Sequence, residues 1–126
     1  MDMEGALRAR IVAATTSASD RVSWDERPQA SALPAVTLQM INGARTQHLK
    51  GYDSVQRSLV QIDCWGASFA VAKALMDAVL AAVIPEASAS GIRFDRAIED
   101  RRGSGVDRAG DASVFRQSAD IGFWWA

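Results

Sequence analysis

Residues 35–41 and 55–65 each alternate apolar and polar side chains, and this shared two-residue period constrains the fold more than any other feature. Val36, Leu38 and Met40 point one way and Thr37 and Gln39 the other, while Val60, Ile62 and Cys64 form a matching apolar line. Two half-buried strands joined by a polar connection predict a hairpin, with Cys64 opposite Leu38 or Met40. Asn42-Gly43 and Gly51-Tyr52-Asp53 interrupt the alternation, so the connection is expected to be long, from Asn42 to Ser54. A sheet with one apolar face needs a covering layer. After Gly66-Ala67-Ser68 the period changes to supply one, since Phe69, Ala72, Met76, Val79, Leu80 and Val83 fall on one helical stripe with Lys73 and Asp77 opposite. Ser68 is placed to cap this helix and Pro85 to end it.

The flanking segments repeat these two patterns. Met3, Leu7, Ile11 and Ala14 mark a short amphipathic helix within residues 3–16, with Arg8 and Arg10 off its apolar line, and the run Thr15 to Ser19 ends it. Val22 and Trp24 alternate with polar neighbours in a short edge strand, and Pro28 to Pro34 reads as a loop. Ile92–Ile98 and Val114–Trp124 read as a second hairpin turning around Gly103, Ser104, Gly105 and Gly110, with a polar connection from Asp100 to Asp111. The order α-β-β-β-α-β-β predicts an α+β fold: an antiparallel sheet of four to five strands, built from two long hairpins, with both helices packed on it. With 126 residues, no internal repeat and no linker, the chain is expected to form one domain over residues 1–126. Such a domain buries about two thirds of its surface without a metal or disulfide staple.

Composition narrows the chemistry. Fourteen basic against fifteen acidic side chains leave a net charge of -1, which supplies no positive field for condensing on nucleic acid. No apolar run is long enough to span a bilayer and Asp2 and Glu4 replace a basic leader, so a soluble protein made inside the cell is expected. The single cysteine, Cys64, and single histidine, His48, fall short of a zinc-ligand set. Nor can they form a thiolate pair, because the hairpin places His48 eight or more residues beyond Cys64's partner, about 25 to 30 Å away. Cys64 therefore reads as a small buried hydrophobe. Asp95, Glu99, Asp100, Asp107 and Asp111 are answered by Arg93, Arg96, Arg101, Arg102 and Arg108 in the same stretch, a solvated mixed-charge hairpin without EF-hand spacing. Gly103 and Gly105 match no phosphate loop. No catalytic residue, cofactor or metal is expected. Phe123-Trp124-Trp125 place large rings where a surface must cover them, either the sheet itself or a partner.

Three segments in order, Arg21-Val22-Ser23-Trp24-Asp25-Glu26-Arg27-Pro28-Gln29, Leu33-Pro34-Ala35-Val36-Thr37-Leu38-Gln39 and Val60-Gln61-Ile62-Asp63-Cys64-Trp65-Gly66 followed by Ala70, Ala72 and Lys73, carry a family resemblance. Over nearly the whole chain the sequence resembles the small tail completion, or tail terminator, proteins that join head to tail in long-tailed bacteriophages and gene transfer agents. The resemblance implies a structural, non-enzymatic virion protein, assembled in the host cytoplasm and located at the head-proximal end of the tail. It implies a homo-hexameric ring that stops growth of the tail tube and docks the head connector, with DNA passing through but not bound specifically. The partners are then the chain itself, the tube protein and the connector or stopper. His48, Lys50, Tyr52, Arg101, Arg102, Arg108, Trp124 and Trp125 are the expected interface residues. A head-side connector or stopper, a tube subunit, and a small-ligand-binding α+β module remain alternatives.

Overall fold

The computed structural model describes residues 2–14, 16–25, 32–48, 51–109 and 112–126, and the side chains of these except within 42–48, 51–54, 107–109 and at 112. Nine elements follow in chain order: α1 (Met3–Ala13), β1 (Val22–Trp24), β2 (Ala35–His48), β3 (Gly51–Gly66), α2 (Phe69–Val83), β4 (Ala87–Ala89), β5 (Ile92–Phe94), β6 (Ile98–Ala109) and β7 (Ala112–Trp125). The α+β architecture is as expected, but the sheet is larger than four to five strands and is mixed. Of its seven strands six run in the order β1-β2-β3-β7-β5-β4, and the seventh, β6, pairs with β7 beside β5. β1 lies parallel to β2, Val22 against Val36 and Trp24 against Leu38. A strand of three residues spans only about 10 Å, so the chain has a short way to return before it re-enters alongside in parallel. The expected loop lies outside the described residues except for Ala32 to Pro34.

Both long hairpins differ from the expected ones in where they turn. β2 and β3 stay paired down to His48 and Gly51, so the stretch from Asn42 to Ser54 is mostly strand and not a connection. The pattern breaks there because the register shifts between Met40 and Asn42 and again between Arg45 and Gln47, which moves the alternation out of phase. Cys64 lies opposite Val36, one pair further along than expected, and Ile62 opposite Leu38. In the second hairpin, β6 runs straight through Gly103, Ser104 and Gly105 and pairs with β7 as far as Ala109 against Ala112. Those glycines do not turn the chain. A Cβ on Gly105 would stand 3.0 Å from Nη2 of Arg116, and one on Gly103 3.3 Å from Nη1 of Arg101, so both leave room for guanidinium groups lying along the strand. The Ile92–Ile98 stretch divides into β5 and the start of β6. β5 pairs with β4, which was not anticipated, through Ser90 and Gly91, both at positive φ as a tight primed turn requires.

One face of the sheet carries the core. Val36, Leu38, Val60, Ile62, Cys64, Ala119, Ile121 and Phe123 are buried under Leu75, Met76, Val79, Leu80 and Val83 of α2, with Met40 half-buried at the margin. Ser68 caps α2 by accepting a hydrogen bond from the Val71 amide, as its position implied. Phe69 departs from the expected stripe: it is 52% exposed, and Leu75 is buried in the core instead. α1 ends at Ala13, leaving Ala14 exposed, and buries Met3, Ala6, Leu7 and Ile11. Arg10, read from sequence as lying off the apolar line, is buried too. Its guanidinium donates to the carbonyls of Ala82 (3.0 Å) and Pro85 (2.8 Å) and stacks 4.8 Å from the centre of the Phe94 ring, so a cation of α1 closes the C-terminal end of α2. Burial lowers its pKa from the ordinary value.

Candidate interaction surfaces

Pairing along β3, β7 and β6 sorts the side chains onto two faces. Opposite the helices, the cross-strand pairs Arg57–Trp124, Gln61–Asp120, Asp63–Ser118 and Trp65–Arg116 form an open polar face. At its centre the Asp63 carboxylate accepts from the Ser118 hydroxyl and from Gln61 Nε2 (3.1 Å). At its two ends an arginine lies over a tryptophan: Arg57 is 5.4 Å from the Trp124 ring and Arg116 5.7 Å from the Trp65 ring, and Trp65 donates to Thr37 Oγ1 at 3.0 Å. Neighbouring side chains shield this face so well that Thr37, Asp63 and Ser118 are buried although no helix covers them. The signal was present in the alternation of Gln61-Asp63-Trp65 and Arg116-Ser118-Asp120-Trp124. Only the register shows that the members pair.

The expected interface residues do not converge on one site. Arg101 lies on the open face, 3.1 Å from Asp120. Arg102 lies on the helix side, 2.8 Å from Glu99 and 3.3 Å from Asp77 of α2. Trp124 belongs to the open face, whereas Trp125 packs against the core on the other and donates from Nε1 to Ser58 Oγ at 3.0 Å. Phe123 is fully buried and meets Phe94 edge-on at 6.1 Å. The backbone puts His48 and Tyr52 at the turn end of the β2–β3 hairpin and Arg108 at that of the β6–β7 hairpin, at opposite ends of the sheet. Their side chains, and Lys50 altogether, lie outside the described residues.

Nothing described assembles reactive chemistry. Cys64 is fully buried with its Sγ 4.0 Å from Met76 Sδ, and burial, reinforced by the charge of Asp63 and opposed by Arg102, pushes its thiol far above the ordinary range. His48 lies twelve residues along β2 from Val36, Cys64's partner, a separation of about 40 Å along an extended strand. Among the described residues no three His, Cys, Asp or Glu side chains are grouped to hold a metal ion. An open cleft of about 220 Å³ beside β4 and β5 is lined by Glu86, Ala87, Ser88, Arg93, Phe94 and Asp95, of which Arg93 and Asp95 pair with each other (3.8 Å).

What the arrangement offers is surfaces and edges, and the sequence as a whole matches a family of that kind. The model of the tail completion protein gp17 family matches residues 3–124. The chain belongs to this family. A search of curated proteins finds no match. Among solved structures, a chain described as "Virion of native gene transfer agent (GTA) particle" shares the fold, with a TM-score of 0.63 and 20% identity over 98% of this chain and 93% of that one.

Proposed function

We propose that this chain is a structural virion protein that terminates the tail: a homo-hexameric ring at the head-proximal end of the tail tube, which stops tube growth and joins the tail to the head connector. The observation that carries this reading is the tail completion family match over residues 3–124. The fold supports it. Residues 51–55 of β3 run on past the Gln56–Trp125 pair, and β6 and β7 run on past the Gly66–Phe115 pair, so two hairpins reach out from opposite ends of one sheet. A subunit of that form has separate surfaces for a tube on one side and a connector on the other, and heterologous flanks for its own copies. The family likeness and the gene transfer agent relative favour a place in the virion, with assembly in the host cytoplasm. DNA would pass through the ring without specific contacts, and the reading includes no enzymatic activity, cofactor or membrane.

Within it, His48, Lys50 and Tyr52 at one hairpin end and Arg108 at the other are the candidates for axial contacts. Arg101, Arg102, Trp124 and Trp125 are candidates for contacts on the faces and the sheet end. Imaging particles produced without the protein tests the assignment. Overlong tails, or finished tails lacking heads, are expected. Heads that leak DNA and never dock a tail would favour a head-side connector, and particles with no tube at all would favour a tube subunit.

A further inference from the structure

The sheet has two long edges with no strand beside them among the described residues. On one flank β1 covers β2 only from Val36 to Leu38, leaving residues 39–48 open. On the other flank β6 pairs with β7 alone, leaving residues 98–109 open. Open strand edges of this length invite another chain unless they are short, covered or interrupted; the irregularity in β6 is confined to its start, between Glu99 and Arg101, and β2 keeps a regular stretch from Asn42 to Arg45 between its two register shifts. Apolar residues mark the same edges: Ile41 on β2 and Ile98 and Val106 on β6 are 46%, 54% and 57% exposed. Phe69 and Val71, the other large apolar residues left exposed among the described ones, open α2 where Gly66 pairs with Phe115, itself the partner of Val106.

The directions of the two edges are complementary. β2 and β7 run one way and β3 and β6 the other. A neighbour related by rotation about an axis on the sheet side therefore brings its β2 beside this chain's β6 as an antiparallel pair. The geometry points to a second copy of this chain as the occupant of the β6 edge, its residues 39–48 adding as the next strand, so that the wall of the assembled ring is one continuous sheet. This inference rests on the ring reading and specifies its subunit contact.

The heights of the edges give a check on closure. Following the register across the sheet, the middle of β6 stands level with Ser118, Asp63 and Thr37, while the middle of the open β2 edge lies about six residues further down β2, about 21 Å away. Four strand spacings separate one copy's β2 from the next, about 19 Å. The stagger therefore corresponds to strands tilted by roughly 48° to the ring axis, close to the 35–45° of closed sheets, so copies can close without rising along the axis.

The stagger sets Ser104 of one copy against residues 42–44 of the next. Within one chain these positions stand on opposite flanks with two strands, β3 and β7, between them, so a disulfide between them can only join copies. The test oxidises assembled tails carrying Ser104→Cys together with Asn42→Cys, Gly43→Cys or Ala44→Cys. At least one pair is expected to give a ladder of crosslinked copies, and neither single substitution is. On the unaltered chain, half the amides of residues 101–106 are expected to exchange about tenfold or more slower in tails than in the free protein. Tails that carry the ring at their end but show no ladder and unchanged exchange overturn the inference and leave the ring reading standing. Tails that lack the protein at their end overturn the ring reading itself, and this contact with it.

Discussion

Cys64 shows how burial alone defines a residue's role. Its thiol is enclosed by the sheet and α2, so Cys64→Ala removes packing and no chemistry, and we expect a loss of about 1 kcal/mol with assembly intact. Denaturant midpoints of the two proteins, with tail assembly, measure this. The raised pKa adds a pH signature. Since the folded state resists ionising a thiol that titrates near 9.0 when exposed, its contribution to stability is whole below that value and is lost as pH rises above it. The wild-type chain should therefore lose stability between pH 9 and 11 more steeply than the alanine variant, and parallel curves would contradict this. Ile62 tests the facing of the sheet: Ile62→Asp puts an unpaired charge under Met76 and Val79 and should cost several kcal/mol, about 3 to 5, abolishing soluble folding. A soluble variant with an unchanged melting midpoint would refute that placement.

Elements are held by what their glycines permit. At the β3–α2 junction a Cβ on Gly66 would stand 2.9 Å from the Ala72 backbone nitrogen and 3.0 Å from Val71 Cγ1, neither of which can withdraw far, because the capped first turn of α2 fixes them. Gly66→Ala is expected to destabilise by about 1 to 3 kcal/mol. On β6 the neighbour of Gly103 is the far end of a flexible arginine at 3.3 Å, so Gly103→Ala should change stability by less than about 0.5 kcal/mol. Thermal melts of the pair check that Gly66 serves a close approach and that Gly103, lying within β6, serves no turn. From sequence the two look alike, which is why Gly103-Ser104-Gly105 reads as a hairpin bend. α2 was legible, cap included, because its stripe and Ser68 are local signals. The extra strands β4 and β5 were not, since three residues are too few to show a period.

For the whole molecule, charge reversal probes assembly. Arg102 holds exposed acidic partners, whereas Arg101, itself exposed, pairs with an Asp120 side chain that is only 16% exposed, so replacing both with Glu should cost the free subunit roughly 1 to 3 kcal/mol and leave it folded. Tail assembly should weaken, and the defect should shrink as salt rises if repulsion between copies causes it. Light scattering and electron microscopy at two ionic strengths read this out, and normal assembly at both would remove these arginines from the interface. By itself the sequence determined the apolar face shared by Val36, Leu38, Val60, Ile62 and Cys64, the helix that covers it and the inert state of Cys64, because a two-residue or helical period is written in adjacent positions. It also carried the family resemblance. Only the tertiary structure decided the parallel pairing of β1, the straight course of β6, the Arg–Trp pairs of the open face, the burial of Arg10 and which strand edges stay open among the described residues. Each of these depends on register between segments far apart in the chain, and a register is set by the packing of the whole sheet, which no local pattern encodes.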